Sequence, residues 1–249
     1  MNQIRLERMK AYIEQKSVVT IKELQALFPE VSLMTIHRDL DALMDAGSVV
    51  KFRGGAKSVR HDGDPEFNVR IGENNSGKFA IAQKAMELLQ PHSSVFLDAS
   101  TTNLMLARSL PDIHLNIITT GPSIALELCR LHNPAITLCC GTVNRKNLAL
   151  SGQNTLEMLD NINIDLAFIG VSGCSVEAGF TCGTEGDMLV KRKVIRKART
   201  SVVMCTADKL KCLMPYTFAN FSDVDYLICD EPLPEAFRIA AQEAGMKIL

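Results

Sequence analysis

Residues 32–55 read SLMTIHRDLDALMDAGSVVKFRGG. At about 100° per residue, Leu33, Ile36, Leu40, Leu43 and Met44 fall on one face of a helix. Met34, Thr35, Arg38, Asp41 and Asp45 fall on the opposite face, with His37 on the shoulder. Ser32 can cap that helix and Gly47 ends it. Residues 48–52 then alternate as a strand, and Gly54-Gly55 supplies a tight turn. A capped amphipathic helix followed by a short two-strand wing is the layout of a winged helix-turn-helix. In that layout the first turns of the helix meet a DNA groove and the wing meets the phosphate backbone.

Working back toward the N-terminus, Ile4, Met9 and Ile13 form an apolar stripe on a first helix reaching about Gln15. Val18, Val19 and Thr20 favour extended backbone, and Thr20 with Glu23 forms a capping box for a second helix over residues 21–28, ended by Pro29. These two helices are expected to cover the apolar face of the third. The residues then left for DNA are Ser32, Met34, Thr35, His37 and Arg38 near the start of the third helix, with Lys51, Arg53 and Lys57 on the wing. Arg38 is the strongest of them, since a guanidinium reads guanine or clamps a phosphate. The competing reading is a small helical interaction domain with a solvated charged face.

Charge is distributed in keeping with this. Residues 1–60 hold ten Lys/Arg against seven Asp/Glu, and the remainder seventeen against twenty-one. A mildly basic head on an acidic body suits phosphate contact, because cations near phosphates release counterions. No apolar run is long enough to span a bilayer, and the first residues lack the apolar core of a secretory signal. The eight cysteines lie between Cys129 and Cys229 with no Cys-x-x-Cys pair and no histidine at zinc-ligand spacing. They read as reduced thiols of a cytoplasmic protein, mostly buried. Cys139 and Cys140 are placed on opposite faces of a strand. Neither a metal nor a cofactor is expected.

Residues 58–76 are polar and broken by Gly, Pro and Asn, and read as a linker with little regular structure. It would separate a DNA-binding domain over residues 1–57 from an α/β domain over residues 77–249. In the latter, a helical pattern at 78–89 precedes six Val/Ile/Leu-rich runs at 94–97, 115–118, 135–140, 164–169, 201–205 and 226–229. Helical stretches at 102–110, 123–131, 155–159 and 185–198 separate several of them. Such alternation predicts a largely parallel sheet with helices on both faces and a ligand beyond the carboxyl ends of the strands. The loops there are rich in small and hydroxyl residues that let backbone N–H groups approach an anion. Candidate ligand-binding residues are Asp98, Ser100, Thr101 and Thr102 after the first run; Thr120, Gly121 and Ser123 after the second; Gly141, Gly170 and Lys209 after the third, fourth and fifth. Taken singly, each loop also fits an ordinary strand-to-helix turn with an N-cap.

The stretch Val31-Ser32-Leu33-Met34-Thr35-Ile36-His37-Arg38-Asp39-Leu40, with Leu43, Gly47 and Gly54-Gly55 after it, resembles the DeoR family of bacterial sugar-metabolism repressors. That family carries Val-Ser-x-x-Thr-Ile-Arg-Arg-Asp-Leu and a later Gly-Gly; His37 stands where its first arginine usually does. The body resembles the family's effector domain more loosely. Asp98-Ala99-Ser100-Thr101-Thr102 has Ser100 in place of a glycine, Gly121-Pro122 replaces an asparagine, and Thr142 replaces a glycine. Thr206-Ala207-Asp208-Lys209 stands for the late Asp-x-Ser-Lys. The resemblance implies a body like ribose-5-phosphate isomerase and a phosphorylated sugar as effector.

Together these readings describe a homo-oligomeric regulator, dimer or tetramer, that grips a double-stranded DNA operator and is released by a phosphorylated sugar. Activation instead of repression stays open, as does a body that serves only as an oligomerisation scaffold. A phosphosugar isomerase would need a positioned carboxylate base. Asp98, Asp165, Glu185, Asp187 and Lys191 are available, but they match no nameable catalytic arrangement, so no catalytic residue is assigned.

Overall fold

The computed structural model describes every residue except Met1, Asn2, Ser17, Gly47, Arg53, residues 59–65 and Lys211. The expected helix stop at Gly47 and the wing cation Arg53 therefore lie outside the described residues. Contacts divide the chain into two units, Met1–Asp62 and Gly63–Leu249.

The first unit contains α1 (Gln3–Lys16), β1 (Val18–Thr20), α2 (Ile21–Leu27), α3 (Leu33–Asp45), β2 (Val49–Phe52) and β3 (Gly55–Ser58). The capping box forms: the Glu23 N–H donates to Thr20 Oγ1 at 3.2 Å, and the Thr20 N–H donates to Glu23 Oε2 at 2.8 Å. Thr20→Ala is expected to cost about 1 kcal/mol, read as a lower urea midpoint of the head with an unchanged m-value; an unshifted midpoint would show the cap to be dispensable. The wing gains a strand over the two expected. Val18-Val19-Thr20 pairs antiparallel with Gly55-Ala56-Lys57, giving the order β1-β3-β2. Gly55 permits this approach, because a Cβ there would stand 2.2 Å from the Val19 carbonyl oxygen.

Met9, Ile13, Leu24, Phe28, Ile36 and Leu40 fill the head's core. Three expected apolar contacts do not: Ile4, Leu33 and Met44 are exposed. They lie near the ends of α1 and α3, beyond the apolar surface that the seven-residue α2 and the wing can cover. Asp39, unassigned by the helical wheel, is instead wholly buried.

The second unit begins with a correction. Residues 67–72 of the expected linker form α4 (Phe67–Gly72), followed by α5 (Asn75–Met86). Phe67 is buried in the core and its N–H donates to the Lys146 carbonyl at 2.8 Å. Asn74, at φ 44°, caps α5 through Oδ1 and the Gly77 N–H, so the polar residues 73–76 mark a junction between helices.

The remaining elements are β4 (Ser94–Leu97), α6 (Thr101–Ser109), β5 (Asn116–Thr119), α7 (Pro122–Leu128), β6 (Ala135–Leu138), β7 (Thr142–Val143), β8 (Leu150–Ser151) and α8 (Gln153–Asp160). After them come β9 (Ile164–Gly170), β10 (Gly173–Ser175), β11 (Gly179–Cys182), α9 (Glu185–Lys197), β12 (Ala198–Cys205), β13 (Tyr216–Ala219), β14 (Tyr226–Cys229), α10 (Glu235–Glu243) and β15 (Lys247–Ile248). Seven strands form one parallel sheet in the order β15-β14-β12-β9-β4-β5-β6.

Side chains alternate across this sheet. Val95, Leu97, Leu166 and Phe168 pack into one apolar cluster, and Phe96, Ala167, Ile169 and Val203 into the other. That is why the strands read as unbroken apolar runs: both faces are covered by helices. β6 ends at Leu138, before the two adjacent cysteines; of these Cys139 is buried and Cys140 exposed. All eight cysteines are free. Among the described residues no helix is long and apolar enough to cross a membrane.

Candidate functional site

The start of α3 is built to stand clear of the protein. Ser32 Oγ accepts the Thr35 N–H at 3.3 Å and lies 3.0 Å from Thr35 Oγ1. Behind it, Arg5 holds the buried Asp39 through both carboxylate oxygens, Nε to Oδ2 at 2.6 Å and the terminal nitrogen to Oδ1 at 3.2 Å. That hydrogen bond raises the Arg5 pKa. The paired fork fixes the helix rotationally as well as axially on α1, leaving Met34, His37 and Arg38 exposed. Neither His37 nor Arg38 has a hydrogen-bond or ion-pair partner among the described residues. Lys51 of β2 is tied to Asp41 of α3 by an ion pair, and Lys57 is half-buried on β3.

In the second unit, strand order reverses between β4 and β9. From β4 the chain moves outward to β5 and β6; from β9 it moves the other way to β12, β14 and β15. Neighbouring loops diverge at such a switch point and leave a crevice at the carboxyl ends of the strands. A small cleft opens there, walled by Ala99-Ser100 and Gly170-Val171-Ser172, with Arg70, Asn147, Asp187 and Lys191 completing it. A wider hollow of about 1050 Å³ lies at the amino ends of the same strands, beside Gln90–Ser93 and Arg199. Its lining residues include no helix N-terminus and no buried charge, whereas the smaller cleft has both.

The floor of the cleft is a buried ion pair. Lys191 Nζ donates to Asp98 Oδ2 at 2.5 Å and to the Gly170 carbonyl at 2.7 Å, with Asp187 at 3.6 Å. Asp98 also accepts the Gly170 and Ser100 N–H groups and the Asn103 amide. Burial alone would push the Asp98 pKa up; Lys191 and these donors outweigh it and hold it below the ordinary value. Burial likewise opposes the Lys191 charge, but Asp187 and Asp98 raise its pKa. Asp98 thus fastens the first loop to the fourth. Gly170 makes the approach possible, since a Cβ there would stand 2.4 Å from Ser100 Cβ.

Of the expected ligand residues, Asp98, Ser100 and Gly170 meet at this cleft. Thr101 and Thr102 open α6, but their side chains are buried. Thr120 is buried, Gly121 packs on Ala99, and Ser123 lies within α7. Gly141, at φ +144°, serves a turn against Ser151 and Thr155. Lys209 does not line the cleft; it braces one wall by donating to the Val171 carbonyl at 2.8 Å. Asp165 is at the opposite end of the sheet, accepting the Ser94 N–H. Sequence reasoning missed Arg70, because its segment read as linker, and Asn147, on the β7–β8 hairpin. Lys191 carried a usable signal: it shares a helix face with Val190, Val194 and Ile195, where a lysine needs a buried partner.

Comparison with known proteins agrees with both units. Residues 5–62 match the family model described as DeoR-like helix-turn-helix domain, and residues 73–231 match DeoR C terminal sensor domain. The HTH-type transcriptional regulator GolR of Listeria innocua is 30% identical over 95% of this chain and 93% of its own length. The HTH-type transcriptional repressor GlcR of Bacillus subtilis is 29% identical over 98% and 95%. Among solved structures, ribose 5-phosphate isomerase A of Methanocaldococcus jannaschii aligns over 55% of each chain at 18% identity, with a TM-score of 0.42. A DNA-reading head followed by a sensor domain defines a helix-turn-helix transcriptional regulator. This chain belongs to the DeoR family.

Proposed function

We propose that the protein represses a sugar-metabolism operon and leaves its operator when a phosphorylated sugar enters the cleft of the second unit. What carries this reading is the exposed Arg38, without a hydrogen-bond or ion-pair partner among the described residues, on a helix that Asp39 and Arg5 lock in place. Arg38 and His37 would read base edges, and Ser32, Met34 and Thr35 would meet bases and phosphates at the helix start. Lys51, Lys57 and Arg53 would follow the backbone along the wing. Repression is the favoured sign because GlcR bears the name of a repressor.

The effector would lie against the α6 N-terminus, whose leading N–H groups attract an anion, while Ser100, Ser172 and Asn147 address its hydroxyls. Residues 1–57 are assigned to DNA binding, and residues 67–249, α4 included, to sensing and self-association. Two or more copies would act together, since a single head makes few base contacts, in the cytoplasm and without catalysis. The test is fluorescence anisotropy of a labelled operator titrated with pentose and hexose monophosphates. Release by one of them, and not by the unphosphorylated sugar, is expected. Binding indifferent to every sugar phosphate would leave the body as a scaffold.

A further inference from the structure

The parallel sheet of the second unit ends on two unlike edges. β15 is two residues long and carries Lys247, a common way of blunting an edge. β6, Ala135-Ile136-Thr137-Leu138, stands at the other end with no strand beyond it among the described residues. Its ladder with β5 runs without a bulge, and the strand holds no charge and no proline. The Ala135 N–H donates to the Leu115 carbonyl and the Cys139 N–H to the Thr119 carbonyl, both on the β5 side. Backbone groups alternate in direction along a strand, so those of Ile136 and Leu138 point outward, where no hydrogen bond meets them among the described residues. Such an edge is a template for a further strand.

Beside this edge lies the outer flank of α7. Glu127 and Arg130 turn toward α6, the first pairing with Arg108 and the second donating to the Ala107, Arg108 and Leu110 carbonyls. Pro122, Leu126 and Cys129, spaced i, i+4 and i+7, form the flank away from α6; Leu126 is 77% exposed and Cys129 is exposed too. We infer that β6 pairs antiparallel with β6 of a second copy of this chain, about a two-fold axis at Thr137, so that one sheet runs through both copies. The inference gives a surface to the self-association proposed above and rests on it. Its register closes on itself. Ile136 of one copy faces Leu138 of the other and the two exchange both backbone hydrogen bonds, while Thr137 meets its own counterpart in the non-hydrogen-bonded position. Leu138, 42% exposed, is then covered on the face where Ile136 already packs against the core. Near a two-fold axis a residue meets its own kind, so any charge there would meet a like charge; β6 and the α7 flank carry none. A standard interface takes about 20–30 residues a side, more than a four-residue strand supplies, and the α7 flank extends it. A second copy is the occupant that this charge pattern fits.

The test places Thr137→Cys in the full chain, with the exposed Cys129 and Cys140 replaced by serine. In a non-hydrogen-bonded pair the Cα atoms stand about 4.5 Å apart, within disulfide reach. Mild oxidation with copper-phenanthroline is therefore expected to link most chains into covalent dimers. Ile248→Cys, on the β15 edge, is expected to stay unlinked in the same background. Leu138→Pro removes an outward N–H and spares the β5 ladder; it is expected to raise the dissociation concentration at least tenfold in sedimentation velocity, with the circular dichroism spectrum unchanged. Should that variant fail to fold, the cross-linking pair decides alone. An oligomeric wild type whose Thr137→Cys form stays unlinked would overturn the β6 pairing, as would equal linking at Ile248→Cys, the mark of chance collision. A wild type that sediments as a monomer at every concentration would overturn the self-association itself, and the pairing with it.

Discussion

Lys191→Met is expected to destabilise the second unit by about 3–5 kcal/mol, the usual result of stripping one partner from a buried ion pair. Methionine has nearly the same length, so the loss is electrostatic: Asp98 would keep its charge in a site that is 2% exposed, with its main counter-charge gone. Urea unfolding is the measurement, and a loss below 1 kcal/mol would show that water or Asn103 satisfies Asp98 unaided. The double variant Asp98→Asn with Lys191→Met should recover part of the loss, because it removes the stranded charge. The pH dependence has a definite sign. Asp98 titrates below its ordinary 3.8 in the folded protein, so its contribution is present above that value and lost as pH falls through the folded pKa. Lys191 titrates above its ordinary 10.5, so its contribution is present below that value and lost as pH rises through the folded pKa. Between these limits the contribution is flat in the wild type, and acid unfolding of the variant should lack the Asp98–Lys191 component.

Arg38→Ala is expected to weaken operator binding by about 1–3 kcal/mol, roughly 5- to 150-fold, if the guanidinium reads a base pair. Among the described residues none hydrogen-bonds or ion-pairs with the exposed Arg38, so the thermal midpoint is not expected to move. The preference at one base position should relax while others hold. A uniform loss across all sequences, with a shallower salt dependence, would place Arg38 on a phosphate. An unaltered affinity would mean that α3 presents another side to DNA. Asp39, its neighbour, makes a useful contrast: its side chain is buried on Arg5, so replacing it should lower stability and DNA binding together.

The recognition helix was legible because its cap, its period and its buried stripe agree on one answer. The parallel sheet was legible for a related reason, since strands covered on both faces read as apolar runs. What stayed hidden has a physical pattern. The helix at residues 67–72 is only six residues long, too short to show a helical period, and it holds its place because Phe67 enters a core built from distant strands and Lys78 of the next helix holds its last turn. Asp39 was assigned to neither face of the helix, because its partner Arg5 stands thirty-four positions away in the chain. The hydroxyl loops were correctly placed at the carboxyl edge of the sheet, but Thr101, Thr102 and Thr120 turn inward. Only side-chain packing decides which hydroxyls of such a loop face a ligand.

The two loops that wall the cleft are fastened at Asp98 and Gly170, positions 72 apart in the chain. Because one keystone joins them from below, a half-buried residue of the cleft wall such as Asn147 can change without loosening the sheet. On the proposed reading of the cleft, point changes around its mouth would retune the scaffold to a new metabolite and leave the operator-reading end untouched.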